Sequence, residues 1–456
     1  LTASRQDRPR DGGGADSAGR PDARRPTSLA AWLAYLETLH PKTIALGLDR
    51  VRAVGARLDL ALACPVVTVT GTNGKGSTCA LLESTLRAAG YRVALYTSPH
   101  LLRYNERVRV DARDVTDEAL VDAFDRVEDA RLAAGGVPLT YFEFGTLAAL
   151  WLFAATKPDA VILEVGLGGR LDAVNIVDAD VAVVTSIDLD HMDYLGPTRE
   201  DIAREKAGIF RAGRPAVCAE PSPPQTLVEH ATAIGAPLLQ IGRDYGYLAE
   251  AGQWQYWGPS GRRYGLPWPA LRGAHQLANA STALAALDLL RDRLPVSGGA
   301  VRDGLLLASL PGRFQVLPGR PTIVLDVAHN PHAAHVLAAA AGAMGFHRET
   351  RAVLGMLADK DIPGVIAAIR PRVDRWYVAT LPGPRGASAA ALATELARAG
   401  VDPAAVRPYD DVAAAFAAAR EDADEADRIL VFGSFLTVAG ALAAAASGAH
   451  RAPRHG

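Results

Sequence analysis

The stretch Val66-Val67-Thr68-Val69-Thr70-Gly71-Thr72-Asn73-Gly74-Lys75-Gly76-Ser77-Thr78 carries the reading of this chain. It opens as a buried strand over 66–70, passes through glycines, and starts a helix predicted over 75–89. Glycines let backbone N–H groups approach phosphate oxygens, and the start of a helix adds partial positive charge. Lys75 can then reach β- and γ-phosphates, and Ser77 or Thr78 can offer a hydroxyl to Mg²⁺. The spacing is not a strict Walker A, because two residues separate Gly71 from Gly74 and Gly76 stands between Lys75 and the hydroxyl. The bland alternative is a Gly-rich turn with a surface lysine. It is the weaker reading because the motif sits where a strand–loop–helix unit requires it.

Outward from this loop the chain alternates in type. Strand candidates at 92–97, 159–165, 181–187 and 215–219 are interleaved with helix candidates at 116–134, 142–155 and 198–210. That alternation predicts an α/β fold with a mostly parallel sheet covered on both faces. Between 238 and 271 the texture changes: Tyr245, Trp254, Tyr256 and Trp268 stand among Gly and Pro, the pattern of a small antiparallel insertion attached to the main sheet. Helices at 275–291 and 301–309 follow. Pro311-Gly312 and Pro318-Gly319 bracket a hinge. Beyond it, strands at 322–326, 351–355, 376–380 and 429–432 alternate with helices such as 331–343 and 387–399, a smaller Rossmann-like α/β unit. The expected division is a disordered extension over 1–27, a P-loop ATP-binding domain over 28–311, a hinge over 312–319 and a C-terminal α/β domain over 320–456.

Composition narrows the function classes. Fifty acidic residues against forty-eight Lys plus Arg leave a net charge of −2 on 456 residues, which excludes bulk attraction to nucleic acid or anionic membrane as the main theme. The longest nearly apolar runs, 146–155 and 438–446, fall short of the ~18 residues a membrane helix needs. No secretory leader pattern opens the sequence, and Cys64, Cys79 and Cys218 are odd in number without metal-ligand spacing, so a cytoplasmic compartment is expected. Residues 1–26 are rich in Gly, Arg, Asp and Pro and cannot offset ordering entropy by burial. Only five basic residues are lysine (Lys42, Lys75, Lys157, Lys206 and Lys360), so each retained lysine draws attention.

Chemistry-bearing residues gather after strand ends, where open α/β sheets bind ligands. Glu164 closes the strand at 159–165 and can hold Mg²⁺ beside phosphates; a structural pair with Arg170 is the alternative. His191 follows the strand at 181–187 and, alone, reads as a loop histidine, since imidazole is unusual for Mg²⁺. Ser98 alone is a turn serine. Lys206 on its helix reads as a solvated surface lysine, although a desolvated lysine can take up CO₂ as a carbamate. In the second unit, Asp326 and His329 follow a strand and could face the first site across a cleft. Asn330-Pro331 reads as a helix cap with Pro at the first turn.

Taken together these residues resemble the bacterial dihydrofolate synthase/folylpolyglutamate synthase family, within the wider Mur-ligase-like group, over about 28–440. The markers are 36–44, the 71–78 loop, 97–100, 140–143, 164–175, Asp190-His191, 205–210, 311–314 and 326–331. The resemblance implies that Thr72, Asn73, Gly74, Lys75, Gly76, Ser77, Asn279, Arg313 and Asp326 hold ATP. It implies that Ser77, Ser98, Glu164 and His191 hold Mg²⁺, with a second Mg²⁺ and a monovalent cation as further candidates. Thr140, Tyr141, Phe142, Glu143, Leu171, Asp172 and Ala173 would line the pterin-substrate pocket. Lys206 would be carbamylated, and Lys75, Lys206, Arg313, Asp326 and His329 would be the catalytic set. Leu436 stands where bifunctional members can carry His, so it is given no role. The implied reaction joins L-glutamate to dihydropteroate and to the tail of reduced folates through an acyl phosphate, in a monomer acting on small molecules. The rivals are an enzyme with one of the two synthase activities, a peptidoglycan-precursor ligase, and a nucleotide-gated switch ATPase.

Overall fold

A computed structural model describes residues 25–42 and 44–449; most of the expected disordered extension, Thr43 and the last seven residues lie outside it. The first sheet contains β1 (Val66–Thr70), β2 (Val93–Tyr96), β3 (Val108–Val110), β4 (Arg113–Asp114), β5 (Ala160–Glu164), β6 (Val181–Val184), β7 (Ala216–Cys218) and β8 (Leu238–Gln240). Their order is β4-β3-β2-β5-β1-β6-β7-β8. From β2 to β8 all neighbours are parallel, while β3 and β4 add an antiparallel edge. β1 is therefore central, flanked by β5 and β6, with Val69 level with Glu164 and Thr70 level with Val184. This register places the ends of three strands in one crevice, where the strand order reverses.

Alternating residues of these strands feed two cores. Val66, Leu163 and Val184 face the helices at Asp117–Ala133 and Tyr141–Thr156, and Val67, Ile162 and Val183 face the helix at His275–Leu289. The second face also carries Tyr245, Trp254 and Tyr256, all buried. These belong to the aromatic-rich insertion, which departs from expectation. β9 (Gly246–Glu250), β10 (Gln253–Gly258) and β11 (Gly261–Pro267) pair only with each other. Burying these rings in the core beside the helix at His275–Leu289 takes their apolar surface out of water. Only β8 extends the main sheet.

The second sheet contains β12 (Gln315–Leu317), β13 (Thr322–Leu325), β14 (Thr350–Leu354), β15 (Arg375–Ala379), β16 (Val406–Tyr409) and β17 (Arg428–Phe432), ordered β12-β13-β17-β14-β15-β16. All pairs are parallel except β12–β13. Part of the segment read as a hinge is thus an edge strand of this sheet. The helix at Pro331–Gly342 starts as expected, with the Asn330 side chain accepting from the Ala333 N–H (2.9 Å).

One ion pair fixes the wall of the site. Arg50, on the helix Asp49–Gly55, donates to buried Glu143 through Nε (3.1 Å) and Nη2 (2.8 Å). Glu143 also accepts the Thr140 N–H (2.7 Å), completing a capping box at the start of Tyr141–Thr156. Arg50→Ala strands a buried carboxylate and is expected to lower stability by about 3 kcal/mol. A urea melt with an unchanged midpoint would contradict this.

Candidate active site

The phosphate loop follows from its glycines. Gly71 (φ 150°) and Gly74 (φ 88°) lie in the region that favours glycine; a Cβ at Gly71 would stand 1.8 Å from Thr185 Oγ1, and one at Gly74 2.7 Å from Asn279 Oδ1. The loop is braced from the chain that leaves β6. Thr72 N–H donates to Ser186 O (2.8 Å), Asn73 N–H to Ser186 Oγ (2.9 Å), and Thr185 Oγ1 to Asn73 O (2.6 Å). That duty explains why β6 stops at Val184 instead of running to residue 187. Gly74 caps the helix Lys75–Ala88 without a side chain, so the first-turn N–H groups remain available to an anion. Lys75 Nζ folds back onto Gly71 O (2.9 Å) and Thr72 O (3.3 Å); burial and Arg313 lower its pKa, against Glu164 and Asp190.

Around this loop stand the other expected groups. Ser77 and Glu164 are buried, and Glu164 Oε1 and Arg313 Nη2 lie beside the helix start, 3.7 and 4.0 Å from where a Cβ on Gly76 would be. Glu164 accepts the Ser98 N–H (3.2 Å), and burial raises its pKa. The Asn279 side chain donates to Gln276 (2.9 Å) above Gly74. Arg313 packs over the Phe435 ring (5.0 Å), and burial lowers its pKa while Asp326 and Glu164 oppose. Asp326 accepts the N–H groups of Phe314 and Ala328, both at 2.8 Å, so both its oxygens are engaged in shaping the Arg313 turn.

Lys206 overturns the surface reading. It is 3 % exposed, on the helix Arg199–Ala207. Gly169 lets the loop after β5 press onto this helix, since a Cβ there would lie 3.0 Å from Glu205 O. Burial first, and Lys75 second, lower the Lys206 pKa to about 7, with Asp190 opposing. Sequence periodicity missed this because the neighbours that cover the lysine are distant in the chain.

Sequence reasoning also missed how the two sheets meet. Asp190 accepts from Lys360 Nζ (2.7 Å) and Asn330 Nδ2 (3.2 Å), with His329 Nε2 at 3.7 Å and His191 Nε2 at 3.9 Å. Against the effect of its burial, His329, His191 and Lys360 hold its pKa far below the ordinary carboxylate value. Asn73 faces Asn330 (3.3 Å) and His332 (2.9 Å). The only signal for Lys360 was its rarity among arginines. His191 is brought here in a left-handed conformation (φ 51°), and burial, then Lys360, lower its pKa to about 4, so it is neutral at pH 7.

One cavity of about 1090 Å³ joins the phosphate loop, Glu164, Asp190, Lys206, Arg313 and His329 to a second region. There Tyr141, Phe142, Leu171 and Ala173 form an apolar wall, with the Phe142 ring seated against Gly166. Thr140, Glu143 and Asp172 also line it, but much of their polar capacity goes to the fold. Asp172 accepts from Leu167 N–H (2.9 Å) and Val174 N–H (3.1 Å), and burial raises its pKa to about 6. Gly433, Ser434 and Phe435 reach the cavity from the second sheet, whereas Leu436 is 44 % exposed. Among the described residues no three His, Cys, Asp or Glu side chains form a ready metal cluster. Mg²⁺ fits this donor set nonetheless, because it commonly takes one or two carboxylates and completes its shell with phosphate oxygens and water; Glu164 and Ser77 line the same cavity as the start of the helix at Lys75.

A phosphate loop at the centre of one sheet, facing a second α/β unit across a shared cavity, defines a Mur-type ligase. The family model of the Mur ligase middle domain matches residues 69–287, and that of the Mur ligase glutamate ligase domain matches 312–435. The chain is 51% identical over 420 residues to the dihydrofolate synthase/folylpolyglutamate synthase of Escherichia coli (strain K12), covering 92% of this chain and 95% of that protein. Escherichia coli FolC solved in complex with DHPP and ADP superposes with a TM-score of 0.87 at 49% identity, covering 93% and 99% of the two chains. A bifunctional folylpolyglutamate synthase/dihydrofolate synthase solved with Mn, AMPPNP and L-glutamate bound gives 0.85 at 50% identity, covering 92% and 98%. The chain belongs to the dihydrofolate synthase/folylpolyglutamate synthase family.

Proposed function

We propose that the cavity binds ATP at the phosphate loop and a pteridine-bearing acid along the Phe142 wall, and hands the activated acid to L-glutamate from the second sheet. The chain is an ATP-dependent ligase joining L-glutamate to dihydropteroate and to the glutamate tail of reduced folates. The observation that carries the residue assignment is the continuity of that one cavity from the loop at Gly71–Ser77 to the wall at Phe142 and the turn at Arg313.

A carboxylate is a poor electrophile because its charge is delocalised. In the first step its oxygen attacks the γ-phosphorus of ATP, the bond to ADP breaks, and an acyl phosphate forms. In the second the glutamate amine attacks the acyl carbon and phosphate leaves. Both steps gather negative charge, which Lys75, the free N–H groups of the first helical turn and Arg313 would stabilise as fixed dipoles and cations. Ser77, Ser98, Glu164 and His191 would hold Mg²⁺, which when bound offsets phosphate charge. Asp326 positions Arg313, its oxygens being engaged. His329 is left to take the amine proton: its Nδ1 faces Val327 O at 2.8 Å, so that nitrogen carries hydrogen and Nε2 is the basic one. Lys206, as its neutral amine, would attack CO₂ and lose a proton to give a carbamate anion near the metal donors. Closure of the second sheet over the first, about the 312–319 segment, would keep water from the acyl phosphate.

No described helix is long and apolar enough to cross a membrane. Three unpaired cysteines support a cytoplasmic setting. The test is ADP release with dihydropteroate or tetrahydrofolate, each with and without L-glutamate. Release is expected with both acids and to depend on glutamate. Glutamate-independent release would sink the mechanism and favour a switch ATPase.

A further inference from the structure

The cations that line the cavity are mostly committed. Lys75 lies on the phosphate loop, Lys360 is paired with Asp190, Arg385 with Asp359 (2.7 Å), and Arg313 sits beside Asp326. Arg107 differs. It lines the same cavity, and among the described residues no ion pair joins it to a carboxylate; Lys42 and Lys206 share that property, but Lys42 is exposed, Lys206 is buried, and neither presents a planar two-pronged donor. Its neighbour Glu106 is already engaged, accepting the N–H groups of Leu101 (2.6 Å), Leu102 (2.8 Å) and Arg103 (2.8 Å).

The guanidinium is nevertheless held in place. Its Nε donates to His100 Nδ1 (2.8 Å), and its central carbon lies 5.2 Å from the Tyr104 ring centroid and 5.6 Å from that of Tyr141. The Arg107 carbonyl accepts the Thr97 N–H (2.9 Å), which fixes the residue beside Ser98, whose own N–H meets Glu164. An oriented, charge-unpaired fork therefore stands between the metal-donor edge and the aromatic wall. Such a fork matches a carboxylate that is bound but does not react.

The two acids that this ligase takes differ in that respect. Dihydropteroate has one carboxylate, and it is the one that is activated. A folate ends in glutamate, whose γ-carboxylate is activated while its α-carboxylate enters the cavity as a spectator charge. We propose that Arg107 is a specificity-determining residue that takes the spectator α-carboxylate of glutamate-bearing substrates, an inference that rests on the ligase reading above.

The experiment compares kcat/KM for tetrahydrofolate with that for dihydropteroate, at saturating ATP and L-glutamate, in the wild type, Arg107→Leu and Arg107→Lys. The folate-to-pteroate ratio is expected to fall about 10- to 100-fold in Arg107→Leu, mainly through KM, as for loss of a charge-assisted hydrogen bond. Arg107→Lys should restore part of it. Tetrahydrofolate carrying an α-carboxamide should be disfavoured by a similar factor in the wild type and not in Arg107→Leu. Should Arg107→Leu not fold, Arg107→Gln reads the same ratio with the stem kept. Equal losses for both acids, or the same discrimination against the α-amide in the variant, would overturn the assignment. A wild-type protein that ligates neither acid would instead overturn the ligase reading itself.

Discussion

Lys75→Ala is expected to lower kcat for ligation by at least about 10³-fold with either acid, the scale of losing a cation that meets charge on a transferring phosphoryl group. The structure explains why no other group would substitute. Lys75 is carried by the helix whose first-turn N–H groups point into the crevice, and the nearby Arg313 is set by the second sheet through Asp326. The fold should survive the change. The ammonium gives up only contacts to Gly71 O and Thr72 O, and its removal relieves a buried charge whose pKa burial already depresses. Steady-state ADP release with a thermal melt checks both halves. Near-normal turnover would remove the phosphate role, and a collapsed melt would make Lys75 structural.

Replacing Lys206 should have an effect of similar size on activity, and its removal likewise relieves a buried charge. Lys206→Ala is expected to abolish measurable ligation, and small carboxylic acids should restore part of it by standing in for the carbamate. With the amine's pKa lowered from 10.5 to about 7, the neutral form that attacks CO₂ rises as pH rises through about 7. Re-activation of CO₂-depleted protein by added bicarbonate should follow that rise. Linkage gives the stability sign. A lysine whose folded pKa is depressed binds its proton more weakly in the folded state, so the unmodified chain gains stability as pH rises from about 7 towards 10.5 and carries the full cost of burial below 7. Lys206→Met, which removes that cost, should therefore melt higher than the CO₂-depleted wild type at pH 7 while remaining inactive. Native mass measurement of fully active protein showing Lys206 unmodified would end the carbamate proposal.

The parts of the site that were legible beforehand are those written in consecutive residues. A strand, two glycines and a lysine at the start of a helix specify the phosphate loop because each acts on its own backbone. Glu164 was legible because a short apolar run bounded by turn residues, and its end, can be read locally. The insertion at Gly246–Pro267 was legible as strands but not in its seating, since pairing at an edge and packing by a face have the same sequence pattern. Arg107 was invisible: an arginine in a turn becomes distinctive only once Glu106 is seen to be engaged elsewhere.

By itself the sequence determined the α/β class, the place of the phosphate loop and the family. Local conformational preference and strand-end chemistry depend on neighbours along the chain. Only the tertiary structure decided that Lys206 is buried, that Asp190 meets Lys360 from 170 residues away, and that the Phe142 wall and the Arg313 turn share one cavity. The reason is physical. Desolvation and charge pairing act across space, and their strength is set by which distant segments exclude water from a group.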